Sequence, residues 1–143
     1  MKLIIITALL LLPLQTNASE LTQADCQKIG MAGASAMNNM SKGVPKDRLK
    51  AVLPPLESIE DLTDLKDQQM AAELHQSLDE VYAFDPINVT AFMVYKSESC
   101  IHRIAGGKVV PYAEAHAELK ACSSGSDDDV IECSINAAGA TGD

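Results

Sequence analysis

Residues 85–107 read DPINVTAFMVYKSESCIHRIAGG, and this stretch decides the fold. Asp85-Pro86 has the form of a helix start: an Asp side chain can accept from free N–H groups, and proline is tolerated in a first turn that needs no backbone donor. Gly106-Gly107 has the form of a stop. Between these signals Ile87, Ala91, Val94, Ile101 and Ala105 recur at helical spacing, with Val89, Met93, Cys100 and Ile104 in a second stripe beside them. So wide an apolar arc predicts a helix with neighbours on more than one side, the central element of the molecule.

Toward the N-terminus, Cys26, Ile29, Gly33, Met37 and Met40 draw one apolar stripe along a helix from Leu21 to Ser41, closed by Gly43. Gly30 and Gly33 each cost about 1 kcal/mol of helix propensity relative to Ala, a cost that close packing against a neighbouring helix would offset. Pro45 opens a short second helix that Pro54-Pro55 ends. Ser58 followed by Asp61 resembles a capping box for a long third helix with Met70, Leu74, Leu78 and Val81 on one face, although Leu62-Thr63-Asp64 leaves room for a later start or a bend. This helix is expected to end after Phe84. Beyond the central helix, Pro111 opens a fifth with Tyr112, Ala115, Leu119 and Cys122 on one face. Ser126 and Asp127–Asp129 can cap a last short helix running through Cys133. No stretch alternates with period two between hairpin turns. The expected class is therefore all-α: a bundle of about five helices plus a short C-terminal helix, stapled by disulfides.

The chain opens on Met1-Lys2, an apolar run from Leu3 to Leu14, and Thr16-Asn17-Ala18 with small residues at the first and third of these positions. That is the three-part pattern of a secretory signal peptide, and the run is shorter than the roughly 20 residues of a membrane-spanning helix. The expected organisation is a signal peptide over 1–18, one helical domain over 19–136, and a flexible tail over 137–143. Removal of the signal takes only Lys2 from a chain of 20 acidic and 11 basic residues, so the mature product is strongly acidic. Nucleic acid and anionic membrane surfaces would be repelled, and no stable membrane insertion is expected once the signal is gone. Periplasmic or secreted localisation follows.

Cys26, Cys100, Cys122 and Cys133 are even in number and follow an export signal, so disulfides are expected before a metal site. None forms a CxxC, the usual spacing for thiol exchange or ribbon-type zinc binding. Four cysteines allow three connectivities, between which the sequence does not strictly choose. The favoured pairing is Cys26 with Cys100 and Cys122 with Cys133. The first would join the two ends of the core and the second would close a turn through Ser123–Ser126. On a chain-entropy model these would stabilise by about 4 and about 3 kcal/mol.

No stretch carries a catalytic or ligand-binding signature. Asp127–Asp129 lacks the alternating carboxylates, glycine and glutamate of a calcium loop, and acidic residues at a helix start need no ion. His75, His102 and His116 lie far apart and no pair shares a helical face in HxxxH or HExxH form. Ser97 and Ser99 lack a nucleophile elbow. The five aromatics, Tyr82, Phe84, Phe92, Tyr95 and Tyr112, are too few for a stacking platform and are expected mostly in the core. Asn39-Met40-Ser41 and Asn88-Val89-Thr90 match the glycosylation acceptor pattern but fall on predicted helices. No cofactor, metal site or catalytic residue is expected.

Ala24-Asp25-Cys26-Gln27, Met37 to Gly43, Val81-Tyr82-Ala83 and Tyr95 to Cys100 together resemble a pattern of small uncharacterised exported proteins of Gram-negative bacteria, over residues 20–105. The resemblance implies an all-helical periplasmic protein and supports the pairing of Cys26 with Cys100; it brings no activity with it. The expectation for function is a non-enzymatic module that binds another protein, its partner unknown. The alternative is an acid- or stress-responsive periplasmic chaperone that opens when its carboxylates protonate.

Overall fold

The computed structural model describes residues 21–139. The signal peptide expected over 1–18 and residues 140–143 of the expected tail lie outside them. The regular elements among the described residues are helical: α1 (Gln23–Ser41), α2 (Lys46–Lys50), α3 (Leu65–Ala83), α4 (Val89–Ile104), α5 (Tyr112–Ala121) and α6 (Asp127–Ala137), with 3-10 turns at Leu56–Asp61 and Cys122–Ser124. The protein is all-α.

Helix α4 is central, packed against α1 on one side and α6 on another, as its apolar breadth predicts. The face it buries shares only Ala91 and Cys100 with the two expected stripes. Ala91, Phe92, Tyr95, Lys96, Ser99 and Cys100 are buried, whereas Val94, Met93 and Ile101 are only half-buried and Ile104 and Ala105 are exposed. The reason lies in α1. A Cβ on Gly30 would stand 2.6 Å from the Met93 carbonyl oxygen and one on Gly33 2.7 Å from the Phe92 ring, so these glycines let α4 seat Phe92 against the α1 backbone. That contact sets the rotation of α4 about its axis and turns part of its apolar surface outward.

The main core joins Met37 of α1, Leu78 and Val81 of α3, Phe92 and Tyr95 of α4, Tyr112 and Leu119 of α5, and Val130 of α6. Tyr112 stands edge-on to Phe92 and Phe84, with ring centroids 5.2 and 5.3 Å away, a favourable arrangement of ring quadrupoles. Burial pushes the Tyr95 phenol up to about 12, and its OH donates to the Val110 carbonyl at 2.7 Å. A smaller cluster of Leu21, Ile29, Cys26 and Cys100 lies beside it.

Both expected disulfides are present. Cys26–Cys100 ties α1 to α4 and Cys122–Cys133 ties the turn after α5 to α6, with Cα atoms 5.4 and 5.7 Å apart. Helix stops also follow the sequence. Gly43 and Gly106 adopt left-handed φ values of 78° and 75°, and Gly43 N–H donates to the Met40 carbonyl at 2.8 Å.

Helix starts depart from it. Ser58 does not cap a long third helix: its hydroxyl donates to the Pro55 carbonyl inside the 3-10 turn, and α3 starts at the later boundary, where Asp64 accepts from the Lys66 N–H at 2.8 Å. Asp85 does not cap α4 either. Asn88 accepts from the Thr90 and Ala91 N–H groups at 2.8 and 3.2 Å, while Asp85 turns to α5, its carboxylate receiving Lys120 and its carbonyl receiving His116. The last helix, capped by Ser126 as expected, runs beyond Cys133 to Ala137, so the expected tail does not begin there. Ala137 and Ala138 are core residues, and Gly139 donates to the Asn136 carbonyl.

Candidate functional site

Two features stand apart from ordinary packing: an apolar groove across α1, α4 and α6, and a buried ionic cluster between α3 and α4. The groove follows from the rotation of α4. Its walls are Gln23, Gln27 and Met31 of α1 on one side and Ile131 and Ile135 of α6 on the other; Met93, Val94, Ser97, Glu98 and Ile101 of α4 lie between them, enclosing about 380 Å³. Gln23, Gln27 and Met31 are spaced by four residues, as are Ile131 and Ile135, so each flanking helix offers one row of side chains. Met31 is 56 % exposed and Ile131 38 %, enough to offer apolar surface to another molecule. Methionine adds a flexible, polarisable contact surface that conforms to differently shaped partners. Glu98 is the one ionisable side chain among those lining the groove.

The ionic cluster centres on Lys96, whose side chain is 1 % exposed. Its Nζ donates to Glu80 Oε2 at 2.8 Å and lies 3.9 Å from Glu73 Oε2, and Arg103 pairs with the other oxygen of Glu73. A buried ammonium is tolerable only with such counter-charges around it. Burial lowers the tendency of the Arg103 guanidinium to hold its proton, yet its pairing with Glu73 keeps the charges balanced. Glu73, Cys100 and Arg103, with Leu21, Gln69, Ala72 and Ile104, border a cavity of about 270 Å³. The sequence reading missed Lys96. One signal could have found it: Phe92, Tyr95, Lys96 and Ser99 share a helical face, and Glu73 and Glu80 are seven apart on the facing helix.

Other ionisable groups serve the fold. Asp25 closes a capping box with Thr22 and is buried beside Lys66 of α3, 2.8 Å away; Lys66 and Thr22 hold its carboxyl well below the usual carboxylate range. Asp79 is held low by Lys46 and Lys50 of α2, at 2.6 and 2.8 Å. Asp127–Asp129 sits in the first turn of α6, where Asp129 completes a second capping box and is held low by Ser126.

The three histidines are not brought together as a group of ligands. His75 Nε2 lies 2.7 Å from the Pro54 carbonyl, which can only accept, so that nitrogen carries the proton. His116 stacks on Phe84 and donates to the Asp85 carbonyl. Among the described residues no set of three or more His, Cys, Asp or Glu side chains converges to hold a metal. Of the aromatics, Phe92, Tyr95 and Tyr112 are core, and Tyr82 and Phe84 are half-buried against it. Among the described residues no helix is long and apolar enough to cross a membrane. Two disulfides are the mark of a protein that folds in an oxidising compartment. Comparison with protein-family models, with curated proteins and with solved structures gives no significant match.

Proposed function

We propose that this protein is an exported, non-enzymatic helical module of the periplasm or the extracellular space that binds another protein through the groove across α1, α4 and α6. Four side chains support this reading above all: Met31, Val94, Ile101 and Ile131 are apolar, line one groove, and remain exposed or half-buried. Full burial of one such side chain is worth about 1.5–3 kcal/mol, so a chain that leaves several of them in one groove forgoes stability that a partner can recover. The two disulfides supply a rigid frame for that surface at a chain length where a single core leaves modest stability.

The test is photo-crosslinking in the native periplasm from a crosslinking residue at Met31. A stoichiometric partner should be recovered, lost when Ile131→Asn is added, and retained when Val52→Asn is added instead. Recovery of nothing, or of the same products from all three proteins, would overturn the reading.

Lys96 favours a second reading, the acid-responsive chaperone. Protonation of Glu73 and Glu80 would strand a buried ammonium between α3 and α4, and α3 would part from the core. If the protein stays compact and monomeric down to about pH 3 and binds no apolar dye there, this second reading is excluded.

A further inference from the structure

We infer that the partner presents to this groove a short amphipathic helix whose apolar face is flanked by Lys or Arg. The inference rests on the reading of the groove as a protein-binding surface. Gln23 to Met31 on α1 and Met93 to Ile101 on α4 each cover nine residues, and the eight steps of about 1.5 Å between the first and the last make about 12 Å of helix. A trough of that length, walled by two helices, matches two to three turns of a third helix with apolar anchors at four- and seven-residue spacing.

Charge selects among occupants. The lining residues include Glu98 and no Lys, Arg or His. On α6, Asp127 and Asp128 lie exposed one turn before Ile131, at positions that continue the row of Ile131 and Ile135 toward the helix start. Lys28, which follows Gln27 on α1, is paired with Asp25 at 3.3 Å. The chain as a whole carries a net charge of −9. A second copy would set two acidic rims and two acidic molecules face to face, and an anionic lipid surface would be repelled in the same way. A basic rim on the partner gains attraction, faster encounter and register from the same charges.

The experiment uses the full disulfide-bonded protein and two labelled helical peptides with the same apolar face, one flanked by Lys and one by Glu, followed by fluorescence anisotropy. The Lys peptide should bind about tenfold or more tightly than the Glu peptide, a difference of about 1.4 kcal/mol, and should weaken as salt is raised. Glu98→Lys should shrink that preference. Met31→Asn with Ile131→Asn, which leaves net charge unchanged at two exposed positions, should weaken the Lys peptide severalfold.

Equal binding of both peptides, lost from the Asn variant, would keep the groove and overturn the basic partner. Lys-peptide binding unchanged in the Asn variant would place the attraction elsewhere on an acidic surface and overturn the inference. Binding of neither peptide would overturn the inference along with the helix-in-groove mode. Self-association in sedimentation that disappears with Ile131→Asn would make a second copy the occupant and overturn it as well.

Discussion

Gly30 and Lys96 show how single residues set the packing of this molecule. In an isolated helix Gly30→Ala would gain about 1 kcal/mol of propensity. Here the added carbon would meet the Met93 carbonyl, part of the α4 backbone, so the substitution should destabilise by about 1–3 kcal/mol in urea denaturation. Gly33→Ala meets the Phe92 ring, a side chain rather than backbone, and should cost less. The close approach was legible, because two glycines in a helix otherwise well supplied with apolar residues need a packing reason. The Lys96 cluster was harder to read, since its one mark is a helical face shared with Phe92, Tyr95 and Ser99, and only the packing of α3 brings Glu73 and Glu80 to it. It predicts an asymmetry: Glu80→Ala leaves the fully buried ammonium with only the more distant Glu73 and should cost about 3 kcal/mol. Lys96→Met should cost less, because Glu80, nearer the surface, can turn to water. Equal costs, or a near-zero coupling in the double-mutant cycle, would refute this account.

Helix α3 is the element whose boundaries and attachments the sequence left most open. Two candidate caps, Ser58 and Asp64, precede it, and only Asp64 accepts from the helix N–H groups. Asp64→Ala should therefore lower stability by about 1 kcal/mol and Ser58→Ala should leave it nearly unchanged. Beside Leu78 and Val81 in the core, α3 makes ionic attachments to three helices: Lys66 to Asp25 of α1, Asp79 to Lys46 and Lys50 of α2, and Glu73 and Glu80 to Lys96 of α4. Asp25, Asp79 and Asp129 all have carboxyls held below their ordinary value. A carboxyl so lowered contributes stability that is complete above the unfolded value, about 3.9, and is lost as pH falls toward the folded value. Thermal midpoints should thus owe no pH dependence to these three groups above about pH 5 and should decline below about pH 4. Asp25→Asn should lower the midpoint at neutral pH and make the acid decline shallower. An unchanged acid limb in that variant would remove Asp25 as a cause.

For the whole molecule, the disulfides divide the labour by loop length. Replacing both Cys26 and Cys100 by Ala opens a loop of sequence separation 74 and should cost about 4 kcal/mol, whereas the same change at Cys122 and Cys133, separation 11, should cost about 3, both read from denaturant midpoints with unchanged slopes. The sequence by itself determined that the fold is helical, where most helices stop, and that the cysteines pair in an oxidising setting. These follow from periodicity, glycine and proline chemistry, and cysteine count, all of them local or compositional. Which of several capping residues starts a helix depended on what else each could bond, and Asp85 was claimed by α5. Which side of α4 faces inward was likewise decided only in the tertiary structure. Its apolar residues cover too wide an arc for periodicity to choose, and the choice fell to two glycines on a different helix that admit Phe92. The same rotation buried Lys96 and left Val94 and Ile101 in the groove, with Met93 at its edge, because turning one face of a rigid helix inward turns the opposite face out.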